Sequence, residues 1–181
     1  MFLEVNKWSL GMAVLPLLLA VNAQANSLCA GVENSAIVAT TPSSDFTDNG
    51  DGTVTHHKTR LIWQRCSLGQ TWDGECTGHA LYYRWTEALL QAELNTFAGV
   101  SDWRLPNKNE LASIVEYRCF EPAINSKIFP NALGVMYWSS SPFAINDSNA
   151  WIVSFYNGLV NGHGGDKDSS YVYVRLVRDA Q

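Results

Sequence analysis

The chain has 181 residues; 46% are hydrophobic, 12% aromatic and only 16% charged, with a formal net charge of -5. Soluble proteins average about 25% charged residues, so this is not a disordered chain, which would be polar and strongly charged. A pI near 5.3 lacks the basic footprint of a nucleic-acid binder, and the length suits one domain with a real core.

Residues 8–21 are apolar except for short interruptions, Lys7 precedes them, and Ala23-Gln24-Ala25 follows. This is the pattern of a secretory signal peptide cleaved after Ala25. A membrane anchor needs about 20 apolar residues, more than this run supplies. The product is expected to be exported to the periplasm, the cell surface or the medium, with no transmembrane segment after signal removal. Residues 26–44 are small and polar and read as a tether. Residues 45–181 read as one domain.

All four cysteines lie beyond the cleavage point, and an even count in an oxidising compartment predicts two disulfides. Three pairings are permitted. Cys66 and Cys76 flank a polar, glycine-containing stretch, which favours a local loop worth about 3 kcal/mol by chain entropy. Cys29 would then pair with Cys119 and staple the N-terminal segment to the body.

Asp48-Asn49-Gly50-Asp51-Gly52 is turn chemistry. A calcium loop of the EF-hand type would need an oxygen ligand where Gly50 stands and a glutamate where Thr59 stands, so no metal is assigned. Thr53-Val54-Thr55 and residues 60–64 read as strands. Trp85, Ala88, Leu89 and Ala92 recur at helical spacing. Asn107 and Glu110 have capping-box spacing, and Leu111, Ile114 and Val115 form the buried face of a second helix.

Trp151, Val153 and Phe155 alternate with Ile152, Ser154 and Tyr156, which predicts a strand with the first set inward and the second outward. Asn157-Gly158 signals a hairpin, residues 162–170 a loop, and residues 171–178 a closing strand. Strands at both ends with two helices between them give an α+β domain.

Catalytic chemistry is not legible. Gly-x-Ser-x-Gly, His-Glu-x-x-His, a phosphate loop and a dinucleotide fingerprint are all absent. Glu110 and Glu116, six apart on one helix, would point in different directions. A binding role, with no enzyme activity and no cofactor, is the expectation.

Gly50-Asp51-Gly52-Thr53-Val54-Thr55, Leu61-Ile62-Trp63-Gln64, Trp85-x-x-Ala88, Trp103-Arg104-Leu105-Pro106, Glu110-Leu111, Tyr137-Trp138-Ser139-Ser140-Ser141, Ala150-Trp151 and Val174-Arg175-Leu176-Val177-Arg178 occur in that order. The set resembles the Lcl C-terminal domain family, bacterial exported domains with a C-type-lectin-like fold. The resemblance implies a binding or adhesion domain with a loop-rich ligand face. The lectin calcium motifs Glu-Pro-Asn and Trp-Asn-Asp are missing.

The stretch after Trp138 also resembles the variable region of proteins diversified by retroelements. There, adenine-specific errors in asparagine codons never yield Gln, Glu, Lys, Met or Trp. Residues 143–173 hold no Gln, Glu or Met, and only Lys167 and Trp151 of the other two. That resemblance makes Phe143, Ile145, Asn146, Asp147, Ile152, Ser154, Tyr156, Leu159, Asn161, His163 and Tyr171 the candidate contacts for a protein or carbohydrate ligand. Trp103, Trp138 and Trp151 would be framework. Neither the ligand nor the oligomeric state is legible.

Overall fold

The computed structural model of the protein describes residues 27–162 and 165–180. The expected signal segment (1–25) and His163 lie outside the described residues.

Two antiparallel hairpins start the body. β2 (Phe46–Asp48), β3 (Thr53–His56) and β4 (Leu61–Gln64) join β13 (Val177–Asp179) in a four-stranded sheet of order β13-β4-β3-β2. The β2–β3 turn is held by its own aspartates: Gly50 N–H donates to Asp48 Oδ1 at 2.9 Å, and Thr53 N–H to Asp51 Oδ1 at 3.0 Å. This is the local bonding that makes Asp a turn residue. A small hairpin, β5 (Thr71–Trp72) with β6 (Cys76–Thr77), follows and is closed by the Cys66–Cys76 disulfide.

Both helices start where the pattern places them, but the second is shorter than expected: Leu111 lies on it, whereas Ile114 and Val115, expected on its buried face, are buried beyond its end. α1 (Trp85–Glu93) buries Ala88 and Ala92, with Trp85 and Leu89 partly covered. α2 (Lys108–Ala112) begins at the Asn107/Glu110 capping box, in which Asn107 Oδ1 accepts from Asn109 and Glu110 N–H and Glu110 returns a bond to Asn107 N–H. It ends after five residues, so Glu116 stands beyond it rather than on the same helix as Glu110.

The second sheet positions the candidate site. β9 (Met136–Pro142), β10 (Ala150–Ser154), β11 (Val160–Asn161), β12 (Val172–Tyr173) and β7 (Tyr82–Tyr83) have the order β11-β10-β9-β12-β7. One face carries Tyr137, Val153 and Phe155 into a core with Leu111, Ile114, Val115 and Phe129. The other carries Trp138, Ala150 and Ile152 into a core with Ala88, Ala92, Trp103 and Leu176. A sheet covered on both sides has no outward face over its central strands. The expectation that Ile152 points outward is therefore corrected: it is 1% exposed, beneath α1 and Trp103. Trp151, expected inward, is half-buried, with Phe143 edge-on at 5.0 Å and Lys108 Nζ 4.7 Å from its ring centre.

The expected closing strand is split. β12 belongs to the five-stranded sheet and β13 to the four-stranded one, and the chain crosses between them at Arg175. Arg175 is fully buried and donates to the carbonyls of Gln64 and Arg65 and to Ser67 Oγ. Its guanidinium lies 4.8 Å from the Phe129 ring centre. Burial lowers its pKa, with the Tyr137 hydroxyl acting in the opposite direction.

The segment read as a tether is fastened to the body. Cys29 is bonded to Cys119, and β1 (Val32–Glu33) pairs with β8 (Cys119–Phe120). Farther on, Thr40 and Thr41 dock on Glu116. Among the described residues the architecture is α+β, mostly strands with two α-helices, consistent with a C-type-lectin-like fold. Among the described residues no helix is long and apolar enough to cross a membrane.

Candidate functional site

Three surface segments carry the candidate residues, all anchored on the doubly buried sheet. The first is the loop between β9 and β10. Phe143 and Asn149 close its base through a Phe143 N–H to Asn149 carbonyl bond of 2.9 Å. Asn146 braces the interior by accepting Ser148 N–H on Oδ1. Ile145 is left 83% exposed, and Asp147 stands in solvent beside it. Phe143 itself is 5% exposed, packed on Trp151, and Gly162 presses so closely on its ring that no Cβ would fit there. The expectation that Phe143 is a ligand contact is corrected: it is the hydrophobic anchor of the loop that holds Ile145 out.

The second segment is the β10–β11 hairpin. Gly158 turns the chain at φ 82°, and its N–H donates to the Ser154 carbonyl at 2.7 Å. A Cβ at Gly158 would stand 2.8 Å from Val115 and 2.9 Å from the Tyr117 ring, so both conformation and space require glycine. The tip displays Leu159 at 63% exposure and an exposed Asn161, with Ser154 half-covered. Tyr156, 42% exposed, leans edge-on against Phe120 at 4.7 Å between ring centres.

The third segment is the loop into β12. Asp166 accepts from the Ser169 hydroxyl and N–H and from Asp168 N–H. These bonds, the Ser169 hydroxyl first, hold its carboxyl below the ordinary range. Lys167 Nζ donates to the Asp147 carbonyl at 2.6 Å and stands 4.6 Å from the Trp85 ring centre, tying this loop to the first. Tyr171 is exposed and packs edge-on against Tyr82, with the Arg84 guanidinium over its ring at 5.2 Å.

The candidates are thus not one continuous patch. Ile145, Asn146 and Asp147 join the loop that carries Lys167. Tyr156, Leu159 and Asn161 group at the hairpin. Tyr171 enters β12, which is three strand spacings, about 14 Å, from β11.

Two features escaped the sequence reading. A hollow of about 530 Å³ lies between α1 and residues 101–107 and is lined by none of the candidates. Its rim is occupied by paired charges: Arg104 donates to both Glu110 carboxylate oxygens and to Asp179. The second is Glu116, a fully buried carboxylate with five donors around it. Its signal in the sequence was only that an acid directly follows the apolar pair Ile114-Val115, and a charge buried with them needs partners. Among the described residues, no three His, Cys, Asp or Glu side chains are placed to hold a metal ion.

The family model of the Lcl C-terminal domain matches residues 52–178, from the β2–β3 turn to β13. No curated protein matches the chain.

Proposed function

The chain belongs to the Lcl C-terminal domain family, and from that premise we propose that it is an exported ligand-binding or adhesion domain, not a catalyst. Its recognition surface is the set of loops formed by Ile145, Asn146 and Asp147, by Tyr156, Leu159 and Asn161, and by Tyr171. The carrying observation is the division of labour within residues 143–173. Phe143, Asn149, Ala150, Ile152, Val153, Phe155 and Val172 are buried and Trp151 and Ser154 half-buried, while Ile145, Asn146, Asp147, Tyr156, Leu159, Asn161 and Tyr171 stand exposed. Rigid scaffold with exposed aromatic and small polar loop residues is contact chemistry. Two disulfides suit an oxidising compartment. The test is a glycan array probed with the protein and with the double variants Ile145→Ala/Asp147→Ala and Tyr156→Ala/Leu159→Ala. Loss of signal while the variants stay folded, with the melting temperature lowered by no more than about 5 °C, supports the reading; unchanged signal in both variants overturns these loops as the contact surface.

Retroelement diversification is the finer form of this proposal, confined to the exposed positions and excluding Phe143 and Ile152. A second reading has the same face pack against a fixed partner, with the rings beside Tyr156 extending it. Tyr117, Phe120 and Tyr156 are exposed rings around the hairpin turn, and Val32 is the strand partner of Phe120. Such a patch suits a fixed protein partner in a cell-surface assembly. Sequencing the gene and its flanks in several clones separates the two. A neighbouring template repeat with variation confined to residues 143–173 supports diversification; invariant loops without a repeat favour the fixed partner.

A further inference from the structure

A smaller hollow of about 200 Å³ lies on the outer face of the four-stranded sheet, away from the C-terminal loops. Strand register builds it. Ile62 on β4 pairs with Thr55 on one side and Arg178 on the other. Paired residues share a face of the sheet, so Ile62 is an aliphatic floor between a hydroxyl wall and a guanidinium wall. Those walls stand two strand spacings apart, about 9.6 Å. Trp103, Val100 and Ala98 line it from above.

The walls carry opposite charges with unused bonding capacity. Arg178 is a largely buried side chain whose Nε donates to Asp102 Oδ1 at 2.7 Å. Among the described residues, its two Nη groups donate to nothing. Asp51, in the β2–β3 turn at the end of the Thr55 wall, lines the same hollow. Its Oδ1 accepts Thr53 N–H and the Thr53 hydroxyl, which fixes the carboxylate. Its Oδ2 accepts nothing among the described residues. Asn49 and Thr55, bonded to each other at 3.1 Å, complete that wall.

A bare carboxylate ligand would suit Arg178 but meet Asp51 and Asp102. A bare amine would suit Asp51 but leave the guanidinium fork unused. A molecule carrying both charges a few atoms apart satisfies both walls, since planar Nη pairs match a carboxylate. The geometry points to this hollow as a site for a small zwitterion of the amino-acid class: carboxylate on the Arg178 Nη groups, ammonium on Asp51 Oδ2, and a short aliphatic group over Ile62 and Trp103. The site is independent of the loop surface proposed above.

The test is calorimetric titration of the purified protein with glycine, L-alanine and L-leucine, with acetate and ethylammonium as single-charge controls. Saturable binding of at least one amino acid, tenfold or more tighter than either control, is expected. Asp51→Asn keeps the Oδ1 acceptor and the turn, and should weaken binding at least tenfold without moving the melting temperature. Arg178→Lys keeps the charge beside Asp102 but not the fork, and should weaken it similarly. Absence of binding at millimolar amino acid, acetate binding as tightly as glycine, or undiminished affinity in Asp51→Asn would each overturn the proposal.

Discussion

Glu116 Oε2 accepts the Thr41 backbone N–H at 2.7 Å and the Thr41 hydroxyl at 3.1 Å, while Oε1 accepts from Thr40 and Arg118. Burial alone would raise the carboxyl pKa. The N–H groups of Thr40, Thr41 and Arg118 and the Thr41 hydroxyl outweigh it and hold the group ionised below its ordinary value of 4.5. A folded-state value below the unfolded one adds stability above the unfolded pKa and loses it as pH falls through the folded one. Glu116→Gln should cost about 2–3 kcal/mol, because its amide nitrogen faces donors that then stay unsatisfied. Urea unfolding from pH 7 to pH 3 should also show a shallower acid limb in the variant.

Ile152 and Tyr156 separate core from surface on one strand and its exit. Ile152→Ala should destabilise by about 2–5 kcal/mol, the range for an aliphatic cavity in a packed core. Tyr156→Ala loses an edge contact with Phe120 and should cost about 1 kcal/mol. Thermal melts of the two variants check the difference. Equal, small shifts would mean that α1 and Trp103 do not cover Ile152.

Among the described residues Arg175 has no carboxylate partner; carbonyls, a hydroxyl and aromatic rings surround it. Arg175→Met should cost about 2 kcal/mol or more, since the Gln64 and Arg65 carbonyls lose their buried donor. Denaturant midpoints of the variant and of the wild type measure it.

The two disulfides should differ in weight. Cys29–Cys119 closes a separation of 90 residues and Cys66–Cys76 one of 10. Chain entropy gives about 4–5 kcal/mol for the long loop and about 3 kcal/mol for the short one. Paired serine replacements, measured separately by urea unfolding, should preserve that order.

The parts of the fold set by local chemistry were legible. Asn107 and Glu110 announce a cap, Asn157-Gly158 announces a hairpin, and Cys66 and Cys76 are close enough in sequence to suggest their own partner. What was illegible depends on packing from elsewhere in the chain. The alternation of residues 151–156 reads as one inward and one outward face, and nothing in that window says that α1, sixty residues earlier, covers the second face. The same holds for Phe143, whose burial is decided by Gly162. Arg175 looks like a surface cation within a strand until two sheets close around it. Of the candidate site, Asn146, Asp147 and Asn161 were legible as polar loop residues, whereas Ile145, Leu159 and Tyr171 were marked only by the resemblance; the separation of the loops across the sheet was not legible at all.

Cys29 also fixes how the domain would respond to tension. A pull arriving at Ser27 meets the hydrogen bonds of Ser27 to Glu33 and of Leu28 to Ser126 before the Cys29–Cys119 bond takes the load, ahead of the β1–β8 pairing and the Thr40–Thr41 clasp. The load passes through a covalent link into β8, directly beside the buried Glu116 and the core strands behind it. Residues 30–45 are bypassed and carry no tension. A domain held at that end would therefore resist peeling from its N-terminal edge, and the force that opens it should fall sharply once the bond is reduced.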